Sequence, residues 1–304
     1  MTSRLFARPG LVAPFKAAIA ALLALSLVAC RSTELTTAGL LPFAAPQSVG
    51  AVTGEAEIRG QSTLVLDYAS GRTLYEEAAD GLRYPASLTK MMTLYLLFEA
   101  IGEGRLSLDS ELRVSENAAS KPPAKIGLEP GTTIRVRDAA QAIAVKSAND
   151  VATAIAENLG GSEAGFAAAM TAKARSLGMS RTQFANASGL PDPRQISTAR
   201  DMSTLGRALL SRFPQYASLF SVTEFEYGGK RFKATNKLVG KVPGVDGLKT
   251  GYIRDAGFHL VATAKRGGRR IIVVVMGGEK GRDRDAKVTA LIDQYLGAAR
   301  FAER

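Results

Sequence analysis

The chain has 304 residues, 46% apolar and 22% charged, a globular composition that allows one large domain or two small ones with a real core. A single cysteine excludes an intrachain disulfide, so the core must hold the fold by itself. The net charge of +11 points to an acidic partner, and no dense Lys/Arg run with interleaved aromatics argues for nucleic acid.

Arg4, Arg8 and Lys16 precede an apolar run over 17–29 that is too short to span a bilayer comfortably, the pattern of an export signal. It ends in Leu27-Val28-Ala29-Cys30, which resembles the lipobox of bacterial lipoproteins. That resemblance implies cleavage before Cys30, lipidation of its thiol and a membrane tether. Cleavage after Ala44 or Ala45, discarding Cys30, is the alternative. Without residues 1–30 the chain keeps 36 basic and 28 acidic residues, a net of +8. Export points away from nucleic acid and toward an anionic envelope polymer as the partner. Residues 31–56, rich in Thr, Ala, Gly and Pro, read as a flexible tether, 57–298 as the folded domain and 299–304 as a tail.

The domain opens with a hairpin, 61–68 and 72–76, about a Gly71 turn. A helix follows from Pro85, a residue suited to a first helical turn. Pro122, Pro123, Gly127, Pro130 and Gly131 break up 106–137 into mostly loop with short pieces of structure. Helical spacing returns at 138–145, 150–159 and 162–177, with Gly178 as a stop, and Thr198-Ala-Arg-Asp201 caps a helix through about Ser211. A second hairpin, 222–227 and 230–234, turns at Gly228-Gly229; extended segments at 247–253, 258–265 and 270–276 and a helix over 282–296 finish the chain. The order predicts an α+β domain whose two ends meet in one antiparallel sheet of about five strands, packed against helices and a helical subdomain.

Three short motifs carry chemistry. Ser87 and Lys90 stand i, i+3, placing an amine beside a hydroxyl that needs a base to become a nucleophile. Ser147 and Asn149 lie where one helix stops and another begins, which can turn both into a cleft; capping is the alternative. Lys249, Thr250 and Gly251 fall in a predicted strand, where the lysine can bind a carboxylate or lower a neighbouring lysine's pKa, and the glycine admits a ligand backbone. The only histidine, His259, is expected in the core or at an edge, since a serine-lysine site does not require imidazole. No His/Cys/carboxylate cluster has metal-ligand spacing, and no cofactor is expected.

Ser-x-x-Lys, Ser-x-Asn and Lys-Thr-Gly in this order form the motif set of class A β-lactamases and penicillin-binding proteins. The segments 84–93, 146–152, 186–190, 197–202 and 245–252 closely resemble the low-molecular-mass penicillin-binding proteins that are serine D-alanyl-D-alanine carboxypeptidases, with a β-lactamase/transpeptidase-like fold. The resemblance implies that Ser87 attacks the carbonyl between the two terminal D-alanines of a peptidoglycan stem peptide, with Lys90 as base and Ser147 relaying a proton to the leaving amine. It further implies that Asn149 holds the substrate amide, that Lys249 and Thr250 engage the terminal carboxylate, that the N–H groups of Ser87 and Tyr252 form the oxyanion hole, and that β-lactams acylate Ser87.

Ala148 replaces the more usual glycine between Ser147 and Asn149, and Tyr252 stands where many members have histidine. A β-lactamase needs a deacylating glutamate downstream of the Ser-x-Asn turn, and 183–190 offers none. A D,D-endopeptidase cutting cross-links uses the same site and stays open as the nearest alternative; a catalytically silent peptidoglycan-binding lipoprotein is the other.

Overall fold

The first and last strands carry near-continuous apolar runs that are buried on both faces, and this decides the architecture. A computed structural model describes residues 60–298, so the export signal, Cys30, the tether and the tail expected from the sequence lie outside the described residues. Strand β1 (Ser62–Asp67) pairs antiparallel with β2 (Thr73–Glu77) across the Gly71 turn, where φ is +74°. Near the other end of the domain, β7 (Val245–Ile253), β8 (Gly257–Arg266) and β9 (Arg269–Gly278) form a meander. β9 returns to lie beside β1, with Leu64 opposite Val274 and Val65 opposite Val273, giving the order β2-β1-β9-β8-β7. The predicted union of the two chain ends is therefore present.

The period of two sorts the side chains onto both faces. Leu64, Leu66, Ile272, Val274 and Met276 join one core; Val65, Ile271, Val273 and Val275 join another. The second core is closed by the C-terminal helix, Gly281–Leu296, through Val288, Leu291 and Ile292. The first is closed by the helices between the strands.

Of these, α1 (Lys90–Gly102) is apolar nearly all round, and a helix of that kind must be buried. Its Tyr95 and Phe98 meet Phe213 edge-on at 5.0 and 5.8 Å. The short pieces of structure expected in the loop-rich stretch are α2 (Glu116–Ser120) and two three-residue strands on either side of it, β3 (Glu111–Arg113) and β4 (Thr133–Arg135), which pair with each other. α3 (Val136–Gln141) runs into a wider π turn, Ala142–Lys146. After it come α4 (Asn149–Gly160), α5 (Glu163–Ser176) and α6 (Ala199–Arg212). Thr198 caps α6 by accepting from the Asp201 N–H at 3.0 Å, as its sequence indicated. The C-terminal helix is α7. The second hairpin, β5 (Glu224–Tyr227) and β6 (Lys230–Lys233), pairs only with itself, leaving β7 as the edge of the main sheet.

Candidate active site

Ser87 sits in a tight 3₁₀ turn, Ala86–Thr89, that leads directly into α1, and not in the first turn of an α-helix as the sequence implied. In a 3₁₀ turn residues i and i+3 eclipse, which brings Lys90 closer to Ser87 than a regular helix does. The preceding Ala86 is held at φ +47°, a region that L-residues with a Cβ seldom occupy. Two glycines hold this turn. A Cβ on Gly189 would lie 2.0 Å from the Ala86 carbonyl oxygen, and one on Gly251 would lie 3.2 Å from that of Pro85. Gly251 does line the cleft, but its close neighbour is the protein's own Ser87 turn.

Lys90 is fully buried, with Nζ 3.1 Å from Ser87 Oγ and 2.7 Å from Asn149 Oδ1, and it also meets the Ser188 carbonyl. Burial pushes its pKa well below the usual lysine range, helped by the positive Lys249, while Asp150 pulls the other way. The partners fix what the neutral amine can do. Two of them are carbonyl oxygens, which only accept; the third is a hydroxyl, which can donate. A neutral Lys90 that gives its two N–H bonds to Asn149 and Ser188 therefore turns its lone pair toward the Ser87 proton.

The helix that ends at Lys146 restarts at Asn149 because Ser147 is left-handed, at φ 63°, ψ 39°. Neither Ser147 nor Asn149 caps α4, whose N-cap, Ala148, makes no side-chain bond. Asn149 instead spans the site, donating from Nδ2 to the Pro122 carbonyl at 2.6 Å. Ser147 Oγ is buried in the cleft wall without a hydrogen-bond partner, and a catalytic role is one of the reasons for which a buried polar group stays unpaired.

On β7, Thr250 opens into the cleft and its hydroxyl meets Thr235 Oγ1 at 2.8 Å. Lys249 points the other way. It is buried behind the wall, donates to the Thr250 carbonyl at 3.0 Å, and has its pKa lowered to about 7 by burial and by Arg284. It can act on a ligand through its field, and it is near enough to Lys90 to depress that amine. Tyr252 is 54% exposed at the mouth, its ring against Phe258 at 4.3 Å.

Several supporting residues had no predicted role. Asp150, next to the Ser-x-Asn motif, accepts from the N–H groups of Ile126, Gly127 and Leu128 at 3.1, 2.9 and 3.2 Å and so pins the loop over the site. Asn186 Oδ1 accepts from Gly189 N at 2.8 Å, shaping the turn that presents Ser188 to Lys90. His259 is a brace: its Nε2 faces the Tyr84 carbonyl at 2.9 Å, and Nδ1 accepts from Gly277 N at 2.9 Å, so the proton belongs on Nε2. Burial first of all lowers its pKa to about 4.

A serine hydroxyl against a buried, deprotonatable lysine at the edge of an antiparallel sheet defines a serine-lysine acyl-transfer centre. Residues 49–280 match the peptidase S11 family, D-alanyl-D-alanine carboxypeptidase, and the chain belongs to that family. It is 36% identical over 260 residues to D-alanyl-D-alanine carboxypeptidase DacF of Bacillus subtilis, covering 83% of this chain and 66% of that one. With DacC of Escherichia coli it shares 37% over 249 residues, 80% and 61% of the two chains, so it spans just under two thirds of these relatives' length. Penicillin binding protein 5 from Haemophilus influenzae superposes with a TM-score of 0.75 at 32% identity, over 78% of this chain and 70% of that one. The cefotaxime-bound penicillin-binding protein D2 from Listeria monocytogenes gives 0.71 at 34%, over 78% and 96%.

Proposed function

We propose that the protein is a serine D-alanyl-D-alanine carboxypeptidase that removes the terminal D-alanine from peptidoglycan stem pentapeptides. The observation that carries this reading is the Lys90 amine, buried 3.1 Å from Ser87 Oγ with its other two partners both carbonyls. Lys90 takes the Ser87 proton as Oγ bonds to the penultimate D-alanine carbonyl carbon. The N–H groups of Ser87 and Tyr252 receive the developing oxyanion, where one such donor is worth about 3 kcal/mol. As the C–N bond breaks, the Lys90 proton passes through the Ser147 hydroxyl to the leaving nitrogen, and D-alanine departs. Water then attacks the ester and gives its proton to Lys90; as the ester C–O bond breaks, that proton passes to Ser87 Oγ and the shortened peptide leaves with a new terminal carboxyl.

Asn149 aligns the peptide amide, and Thr250, backed by the field of Lys249, receives the terminal carboxylate. β-Lactams enter the same way and acylate Ser87. The N-terminal sequence supports export and membrane attachment through a lipidated Cys30, which makes this an extracytoplasmic or periplasmic lipoprotein.

Incubation with a pentapeptide stem and with a cross-linked dimer tests the activity. Release of D-alanine from the pentapeptide is expected; cleavage of the dimer alone would make the protein a D,D-endopeptidase. Mass spectrometry of the mature N-terminus tests the lipid.

A further inference from the structure

Five cations, Lys146, Lys237, Lys280, Arg282 and Arg284, line the cleft, against one anion, Asp285. Two of them are engaged. Arg284 pairs with Asp285 at 2.7 Å and donates to the His259 carbonyl, and Lys146 stands over the Phe232 ring at 6.0 Å. Lys237 and Lys280 have no ion-pair partner among the described residues. Arg282 meets only its neighbour Asp283 at 3.3 Å, with the two side chains 79% and 59% in water, and such a pair holds little.

The placement runs against local stability. Lys280 is the N-cap of α7 and Arg282 follows in its first turn beside a single acid, Asp283, with no side chain capping the free N–H groups. A helix N-terminus is itself partly positive, so the two cations oppose it where Asp283 favours it, and a bound anion relieves that opposition. The cleft also exceeds what a terminal dipeptide fills. At about 890 Å³ it lies toward the upper end of the roughly 300–1,000 Å³ of ligand pockets, and Ser147, whose buried hydroxyl has no partner, is part of its wall.

We infer that Lys237, Lys280 and Arg282 form a second anion subsite, which takes a side-chain carboxylate of the stem peptide in addition to the terminal one. The inference rests on the carboxypeptidase reading above. It makes the enzyme prefer a peptide whose acidic side chain is free over the same peptide amidated there.

The test uses two peptides ending in D-Ala-D-Ala that differ only in one side-chain carboxylate or carboxamide. Wild-type kcat/KM should favour the carboxylate by about tenfold at low salt, and the preference should shrink as salt rises. In Lys280→Gln/Arg282→Gln the ratio should approach one, with turnover of the carboxamide peptide unchanged. Affinities of a Ser87→Ala protein for the two peptides read the same discrimination without turnover. Loss of turnover with discrimination kept therefore counts against the carboxypeptidase reading alone. A ratio near one in the wild type, or one that survives the double substitution, overturns the subsite.

Discussion

Asn149 Oδ1 accepts from Lys90 Nζ at 2.7 Å, so the turn between α3 and α4 is tied to α1 through the nitrogen that does the chemistry. The acceptor there is a neutral amide. Asn149→Asp places an anion against the amine, and an opposite charge at such range raises a lysine pKa by about 1–3 units. The acid limb of kcat/KM against pH should move up by that amount. An unmoved limb would show that Lys90 is not the titrating base.

Lys90→Met removes the base and keeps the side chain's length. Covalent uptake of labelled penicillin should slow by about 10²–10⁴, the usual worth of a positioned acid-base group. Ser87→Ala should abolish uptake altogether. If the methionine variant is labelled at the wild-type rate, another group activates Ser87.

The three motifs were legible because each combines a chemical group with a local geometry that spacing reveals. Ser87 and Lys90 need only to be three apart, and Ser147 and Asn149 only to straddle a helix break. The sheet was legible because its strands are short apolar runs punctuated by glycine turns such as Gly71 and Gly267-Gly268. The rest depends on contacts across long stretches of chain. Nothing in Asn186–Leu190 says that a carbonyl there will reach Lys90, 98 residues away, because a turn's composition does not name its neighbour. Asp150 reads as a first-turn acid of α4, and its grip on 126–128 follows only from the loop folding over it. Lys249 was placed on the right strand, but its burial behind Thr250 depends on the packing around Arg284.

Asp150→Ala tests that grip. It removes the acceptor for three backbone N–H groups of a partly buried loop, each bond to a charged group being worth about 1.5–3 kcal/mol. Urea unfolding should show a loss of about 3 kcal/mol or more, and limited proteolysis should cut first near residues 124–128. A loss under 1 kcal/mol with unchanged proteolysis would mean that the loop is held by other contacts.

His259 sets the acid limit of stability. Its pKa in the fold is about 4, against an ordinary 6.5, because burial disfavours the imidazolium and Nδ1 must stay unprotonated to accept from Gly277. Between these values the unfolded chain binds the proton and the folded chain does not. The contribution is therefore complete above pH 6.5 and lost as pH falls to 4, about 3 kcal/mol in all. Lys249, lowered to about 7 from 10.5, acts with the same sign in a separate window between those values. Asp201, whose carboxyl is raised by burial, opposes His259 in the acid range, so the measurement must be differential. Unfolding free energies at pH 4.5 and 7 should differ by about 2 kcal/mol more in the wild type than in His259→Gln, which cannot titrate. Equal differences in the two proteins would show that His259 is not the acid-sensitive brace between Tyr84 and the strand behind the site.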